Sequence, residues 1–332
     1  MLILAGDIGG TSTRLAYFDT AGDRMALLAE GRYPSREAAN LEEIAGRFVA
    51  EHGLAAERAC FGIAGPVRKG RVTTPNLPWS VDAAELGRAL GIPEVLLIND
   101  LEANAHGIDL LGTEDFAVLN QGIADPTGTI AVVSAGTGLG EAVAYWDGGA
   151  HRPLPGEGGH ADFAPRTELE AELLLYLRSK HGRVSTERVV SGPGLCNIYR
   201  FLIDVRHHPE TPAVAEEMRR GDPAAAITRA AMTGECPLCG EVLDLFVSLY
   251  GAEAGNVALR SLTTGGVYLG GGIAPKIIER LKGPGFMLAF TAKGRLSPLL
   301  ETIPVRVILN DRTALLGAGR CAGRSAQARQ TV

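Results

Sequence analysis

Two stretches far apart in this chain follow one plan. Residues 2–5 and 14–18 read as strands joined by Gly6-Asp7-Ile8-Gly9-Gly10-Thr11-Ser12-Thr13, and residues 129–134 and 142–146 as strands joined by Ala135-Gly136-Thr137-Gly138-Leu139-Gly140-Glu141. Strands around a turn rich in glycine and hydroxyl residues are a hairpin pattern. Carrying it twice commits the chain to two sheets, each with such a hairpin. Glycine lets main-chain N–H groups come close to a phosphate, so two such turns in two domains could grip one polyphosphate from both sides. Neither is a Walker A loop, because no Gly-Lys-Ser/Thr follows, and each alone is equally an ordinary β-turn. Asp7, at the end of the first strand, is the type of hard oxygen ligand that holds a magnesium ion directly or through water.

At 332 residues the chain is long for one core, which favours two domains. The expected division is residues 1–110 plus 311–332 against residues 111–310, with the changeover at 109–115. A formal net charge of −6 with no local cluster of Lys and Arg argues against a nucleic-acid partner. An anionic ligand must then be bound by backbone amides, which gives the 43 glycines a use. The opening Met1-Leu2-Ile3-Leu4-Ala5 is too short for a signal or a membrane span. Five scattered cysteines, an odd number, suit a reducing cytoplasm. Cys236-Pro237-Leu238-Cys239 lacks the second pair of ligands that a structural zinc site needs, so the two thiols read as incidental at a helix junction.

The apolar run Val95-Leu96-Leu97-Ile98 ends in Asn99-Asp100 and turns helix-like through Gly107. Such a run suits a strand covered on both faces of a parallel or mixed sheet, and ligands gather where those strands end. An Asp there can accept a proton from a substrate hydroxyl while the neighbouring amide fixes other hydroxyls. A helix N-cap explains the same pair as well. Asn310-Asp311 repeats the pattern, but Arg312 follows and is expected to neutralise Asp311, whereas Asp100 is followed by Leu101.

The loop Pro155-Gly156-Glu157-Gly158-Gly159-His160-Ala161-Asp162-Phe163 is too rich in glycine for a helix or strand interior, yet it carries a carboxylate and an imidazole three residues apart. A ligand explains that better than packing does. Gly270-Gly271-Gly272 follows a strand and precedes a helix start, which suits flat contact with a nucleoside or close packing equally. Asn76 and Trp79, in a rigid loop, are candidates for a substrate rim. By its own surroundings Glu187 is an ordinary solvated residue.

Taken together, Gly6-Asp7-Ile8-Gly9-Gly10-Thr11, Ile98-Asn99-Asp100, Gly136-Thr137-Gly138-Leu139-Gly140, Pro155-Gly156-Glu157-Gly158-Gly159-His160 with Asp162-Phe163-Ala164-Pro165, and Val190-Ser191-Gly192-Pro193-Gly194-Leu195 resemble the bacterial glucokinase family, within the hexokinase, actin and Hsp70 ATPase superfamily. The resemblance runs from Gly6 to about Gly319. It implies a two-domain α/β fold of the ribonuclease H-like (actin-like ATPase) type with an interdomain cleft, the last helix returning to the first domain. It implies Asp100 as the base for the sugar 6-hydroxyl and Asn99, Glu157, His160 and Glu187 as ligands of the other hydroxyls. ATP phosphates would lie on Asp7, Ile8, Gly9, Gly10, Thr11 and Ser12 and on Thr137 and Gly138, with Gly271 beside the adenosine. The implied partners are ATP, Mg²⁺ and glucose, in a cytoplasmic homodimer with no nucleic-acid or membrane partner.

Two rival classes are separable by residues. Related sugar kinases and sugar-sensing repressors carry a zinc-binding cysteine cluster soon after the Gly-Glu-x-Gly-His loop, but no Cys lies between His160 and Cys196 here. An actin-like or chaperone-like nucleotide switch has no need of Glu157 and His160.

Overall fold

The computed structural model describes residues 1–21, 24–74, 76–154 and 156–324. These form two compact units, one of residues 1–114, 149–155 and 310 onward, the other of residues 115–148 and 156–309. The segment 149–155, assigned from sequence to the second domain, belongs to the first unit. There the strand β11 (His151–Leu154) is tied in by His151, whose buried ring places Nδ1 2.8 Å from Asp109 Oδ1. The tail from Arg324 onward, expected to be polar and frayed, lies outside the described residues after Arg324 itself.

In the first unit, β1 (Leu2–Ile8), β2 (Ser12–Ala21), β3 (Arg24–Pro34), β4 (Arg58–Ile63) and β7 (Glu94–Asn99) make one sheet in the order β3-β2-β1-β4-β7. β2 runs antiparallel to β1 and β3, whereas β4 is parallel to both β1 and β7. A small ribbon of β5 (Arg71–Thr73) and β6 (Ser80–Asp82) stands apart. Side chains alternate along the strands. Leu4, Ile8, Leu15 and Tyr17 therefore face one way, under α1 (Leu41–His52) and α2 (Ala83–Leu90). Ile3, Ala5, Ala16 and Phe18 face the other, under α3 (Asp100–Gly107) and α12 (Thr313–Arg324).

Local rules set these helices. Asn40 caps α1 by accepting from Glu43 N–H at 2.9 Å, and Gly53 ends it in the left-handed region at φ +63°. Leu41, Ile44 and Phe48 on its inner face are buried, each worth roughly 1.5–3 kcal/mol of transfer energy. α12 lies close against α3 because a Cβ at Gly317 would sit 1.8 Å from Ala103 O and one at Gly107 2.2 Å from Thr313 O. Either glycine replaced by alanine would force the two helices apart.

In the second unit, β8 (Phe116–Asn120), β9 (Ile130–Ala135), β10 (Leu139–Trp146), β12 (Gly266–Gly270) and β13 (Val305–Ile308) follow the order β10-β9-β12-β13-β8. β9 and β10 are an antiparallel hairpin, β12 is parallel to β9 and to β13, and β8 returns antiparallel. α4 (Glu168–His181), α5 (Gly192–Asp204), α6 (Pro212–Arg220), α7 (Pro223–Thr233), α8 (Pro237–Ser261), α9 (Ile278–Leu281), α10 (Pro284–Thr291) and α11 (Ser297–Glu301) complete it. Among the described residues only α8 is long and apolar enough to cross a bilayer, and it is mostly buried as the unit's core helix. Its Tyr250 hydroxyl donates to Val133 O at 2.8 Å, and Gly251 and Gly255 admit the α10 backbone at Phe286 and Phe290.

Both hairpins are longer than their glycines suggest. The first turn shrinks to Gly9-Gly10-Thr11, because Gly6 and Asp7 continue the strand pairing with Leu15 and Arg14. β7 departs from expectation too: it is the sheet edge, and Glu94, Val95 and Leu96 are only half-buried.

Candidate active site

Three parallel strand ends assemble the polar group of the first unit. Asp7 on β1 pairs with Gly62 on β4, and Gly62 in turn with Ile98 on β7, one residue before Asn99. Gly62 is what lets α3 start there, since a Cβ would lie 2.7 Å from that of Ala103. Asn99 is the N-cap: its Oδ1 accepts from Leu101 N–H at 2.9 Å, its Nδ2 donates to Gly65 O at 3.1 Å, and Glu102 completes a capping box. Asp100 is the first helical residue, with Oδ1 3.0 Å from Leu101 N. The capping and ligand readings of this pair are thus compatible: the cap fixes where Asp100 begins.

Asp7 responds to this setting. Its carboxyl is pushed up to about 6, first by burial and then by the negative charge of Asp100, while Arg14 works the other way. Asp311 is ion-paired, but not with the residue expected. Arg14 donates to its Oδ2 at 2.7 Å and holds its pKa below the usual carboxylate range, whereas Arg312 turns to Glu30 at 2.9 Å. The partner is a strand residue distant in the chain, on β2, rather than the next in sequence.

The Gly9-Gly10-Thr11 turn is braced by Ser35, a buried residue that the sequence reading passed over. Its N–H donates to Thr11 O at 3.0 Å and its hydroxyl to Gly9 O at 2.7 Å, and Thr13 Oγ1 lies 2.9 Å from the same hydroxyl. Gly9 N–H closes the turn on Ser12 O at 3.0 Å, so with the Gly9 and Thr11 carbonyls engaged it is the N–H groups of Gly10 and Thr11 that suit an anion. Arg32 Nε donates to Ser12 Oγ at 2.8 Å, and Asn76 packs against Gly10, where a Cβ would be 2.8 Å from its own. Trp79 is buried beside the core, its Nε1 3.4 Å from Ala38 O, so it serves packing and not a rim.

The second unit brings together Thr137, Gly138, Glu157, His160 and Glu187. Residues Gly158–His160 form a 3₁₀ turn that leaves Glu157 and His160 side by side and more than half exposed, 4.0 Å apart. A second 3₁₀ turn, Thr186–Arg188, packs on the first, joined by Thr186 N–H to Ala161 O at 2.9 Å. Glu187 reaches back to the hairpin turn: its Oε2 accepts from Leu139 N–H at 3.0 Å and lies 2.5 Å from where a Cβ on Gly138 would stand. A residue that looked solvated therefore links the Thr137-Gly138 turn to the Glu157–His160 pair.

Beside Gly136 and Thr137 opens a cavity of about 790 Å³, walled mainly by apolar groups including Leu195, Ala224, Ala225, Met232 and Ile273. The first turns of α5 and α7 line this cavity with their N–H groups already engaged: Gly192 donates to Gly136 O, Gly194 to Ser191 Oγ, and Ala224 and Ala225 to Asp222 Oδ1. Gly272 lines the cavity. Gly271 does not: at φ +80° it packs against Ala135 O, which a Cβ would approach to 2.3 Å. Of the two uses weighed for the triple glycine, close packing is thus what Gly271 shows. The α7 wall was missed because an Asp-Pro-Ala-Ala-Ala start reads as any helix start.

Among the described residues no group of three or more His, Cys, Asp or Glu side chains could hold a metal ion. Cys236 caps α8 through Cys239 N–H at 3.3 Å, in keeping with incidental thiols.

Comparison with known proteins bears on this arrangement. The glucokinase family model matches residues 4–325. The glucokinase of Nostoc punctiforme is 44% identical over 97% of this chain and 99% of that protein. A crystal structure of glucokinase from an Antarctic psychrotroph superposes with a TM-score of 0.85 at 32% identity, covering 98% of this chain and 99% of the other. A glucokinase of the ROK family from Streptomyces griseus, solved with glucose and AMPPNP, shares the fold at a TM-score of 0.67 and 20% identity, covering 98% and 100% of the chains.

Proposed function

We propose a division of labour for this chain, which belongs to the bacterial glucokinase family and transfers the γ-phosphoryl group of ATP to glucose, in which Asp100 takes the proton from the sugar's 6-hydroxyl. Asn99, Glu157, His160 and Glu187 bind the remaining hydroxyls. The Asp7–Ser12 stretch, including Ile8, Gly9, Gly10 and Thr11, and the Thr137-Gly138 turn hold the ATP phosphates, and the α7-walled cavity takes the adenosine beside Gly272, with Gly271 packed behind it on Ala135. The products are glucose 6-phosphate and ADP.

The observation that carries this reading is the setting of Asp100. One carboxylate oxygen is held by the main chain at the first turn of α3, which fixes the side chain, and its charge is felt by Asp7. Phosphoryl transfer asks mainly for alignment and charge stabilisation, with the base taking the hydroxyl proton late. A fixed carboxylate at a helix start supplies the acceptor without reorganisation. Hydroxyls paired to Glu157, Glu187 and His160 supply selectivity, because a sugar lacking one leaves a polar group unsatisfied.

Asp7 fits a divalent cation. Burial and Asp100 together press a proton onto its carboxyl, and a cation relieves the same crowding of negative charge. Mg²⁺, held by Asp7 through water, would neutralise phosphate charge when the nucleotide is bound; few protein ligands are needed, as Mg²⁺ keeps several waters.

We also assign the fold to the ribonuclease H-like class of actin, hexokinase and Hsp70. Each unit repeats an antiparallel hairpin followed by two parallel strands, β2-β1-β4-β7 and β10-β9-β12-β13. Free cysteines at all five positions support a cytoplasmic setting; the homodimer rests on the resemblance alone.

A coupled assay of ADP formation across a panel of hexoses and donors tests the function. The expected result is ADP release that requires a hexose and is fastest with glucose and ATP. ATP hydrolysis indifferent to sugar would favour a nucleotide switch.

A further inference from the structure

Behind the Glu157–His160 turn lies a buried carboxylate that the reaction does not use. Glu141, on β10, is 7% exposed, and a Cβ at Gly158 would stand 2.0 Å from its Oε2 and 2.8 Å from its Cδ. The carboxyl group thus fills the notch that the missing side chain of Gly158 leaves, directly under the turn that presents Glu157 and His160. The neighbouring Gly159 sits as tightly on the same strand, at Leu139 O.

The charged groups facing Glu141 come mainly from α8. Arg260 approaches its Oε2 at 3.6 Å and pairs more closely with Glu253, which is itself nearly buried. Lys293 stands behind them, donating to Asn256 Oδ1 at 2.6 Å, and Asn256 donates to Glu253 Oε2 at 2.9 Å. Tyr250, on the same helix, is committed to Val133 O, and β9 offers no titratable side chain. Glu157 and His160 are on the turn itself. One guanidinium is therefore shared between two buried carboxylates, and Glu141 Oε1 has no hydrogen-bond partner among the described residues. An ionised carboxylate in that position leaves a buried acceptor unpaired, whereas a protonated one can donate to Glu253.

We infer that Glu141 is a positioning residue for glucose binding: uncharged, it seats Gly158 and the Glu157–His160 turn, and ionised, it loosens that seat by setting a second negative charge against Glu253. The inference rests on the assignment of Glu157 and His160 to the sugar. Burial, followed by the charge of Glu253, lifts the Glu141 carboxyl to about 8, with Arg260 opposing. The seat is thus intact below that pH and lost as pH rises through it.

The test is glucose KM and kcat from pH 6.5 to 9.5, with glucose binding by calorimetry, for the intact protein and for Glu141→Gln, which keeps the shape and cannot ionise. Wild-type KM should rise about tenfold across the alkaline limb with kcat changed less than about twofold, and the Gln variant should stay flat. In Glu253→Gln, which removes the opposing charge, weakens the hydrogen-bond acceptor and leaves Arg260 to Glu141, the rise should move toward lower pH; an unmoved rise, or one moved toward higher pH, overturns the inference. A flat wild-type profile, or a Gln variant that follows the wild-type rise, overturns it. Glu157→Ala and His160→Ala at pH 7 isolate the underlying assignment: unchanged glucose binding in both removes the sugar role of the turn and the inference with it, whereas weakened binding beside an unaltered Gln profile removes the inference alone.

Discussion

The two glycine turns are made alike and braced differently. The Gly9-Gly10-Thr11 turn is held by a neutral residue, Ser35, which engages its carbonyls and nothing of the proposed sugar set. The Thr137-Gly138 turn is held by a charged one, Glu187, whose carboxylate accepts from Leu139 N–H and belongs to the proposed sugar set as well. Acidic chemistry enters the first unit elsewhere, through Asp7 and Asp100 at the strand ends. On the proposed assignment the same hairpin serves as a nucleotide support in one unit and as a joint between nucleotide and sugar in the other.

Asp100→Asn tests the acidic side of the first unit and should have the largest effect, a fall in kcat of about 10²–10⁴-fold, the range for losing a positioned base. Asp7→Asn should lower turnover yet stabilise the fold. The native state raises this carboxyl from 3.8 to about 6, so it binds the proton more tightly than the unfolded chain, and stability is lost as pH rises through that window. Removing the charge should recover up to about 3 kcal/mol in urea unfolding at pH 7.5, a gain that shrinks as pH falls toward 4.

Glu187→Ala sharpens the contrast between the turns. It should raise KM for both glucose and ATP, lowering kcat/KM for glucose by about 10- to 100-fold, as expected for a charged hydrogen bond of about 1.5–3 kcal/mol. If only the glucose constant moves, the joint between the two sites is absent. Ser35→Ala should have the smallest effect, about 1–2 kcal/mol of local support, seen as a severalfold rise in KM for ATP with KM for glucose unchanged. A matching rise for glucose would erase the distinction drawn between the turns.

Features set by neighbouring residues were legible in sequence. The hairpin turns, the strand ending at Asn99-Asp100, and helices such as Leu41–His52 and Glu168–His181 follow from glycine, apolar spacing and caps within a few residues. What escaped depends on contacts between distant segments. Ser35 braces Gly9 from another strand end, Arg14 rather than Arg312 forms the ion pair with Asp311, and Glu187 meets Leu139 across the unit. The α7 wall of the cavity and the carboxylate under Gly158 are of the same kind. Nothing at those positions in the chain departs from ordinary helix or strand composition. The resemblance reached Glu187 where local reasoning could not, because a motif preserves a position whose partner lies elsewhere.

The most direct measurement is made on Asp100→Asn alone: glucose affinity by calorimetry beside the single-turnover rate of glucose 6-phosphate formation. The account predicts a dissociation constant within about threefold of wild type, because Asn keeps the size of the side chain and an Oδ1 that accepts from Leu101 N–H, together with near-complete loss of the transfer step. Near-normal transfer in this variant, or loss of glucose binding as large as the loss of rate, would contradict it.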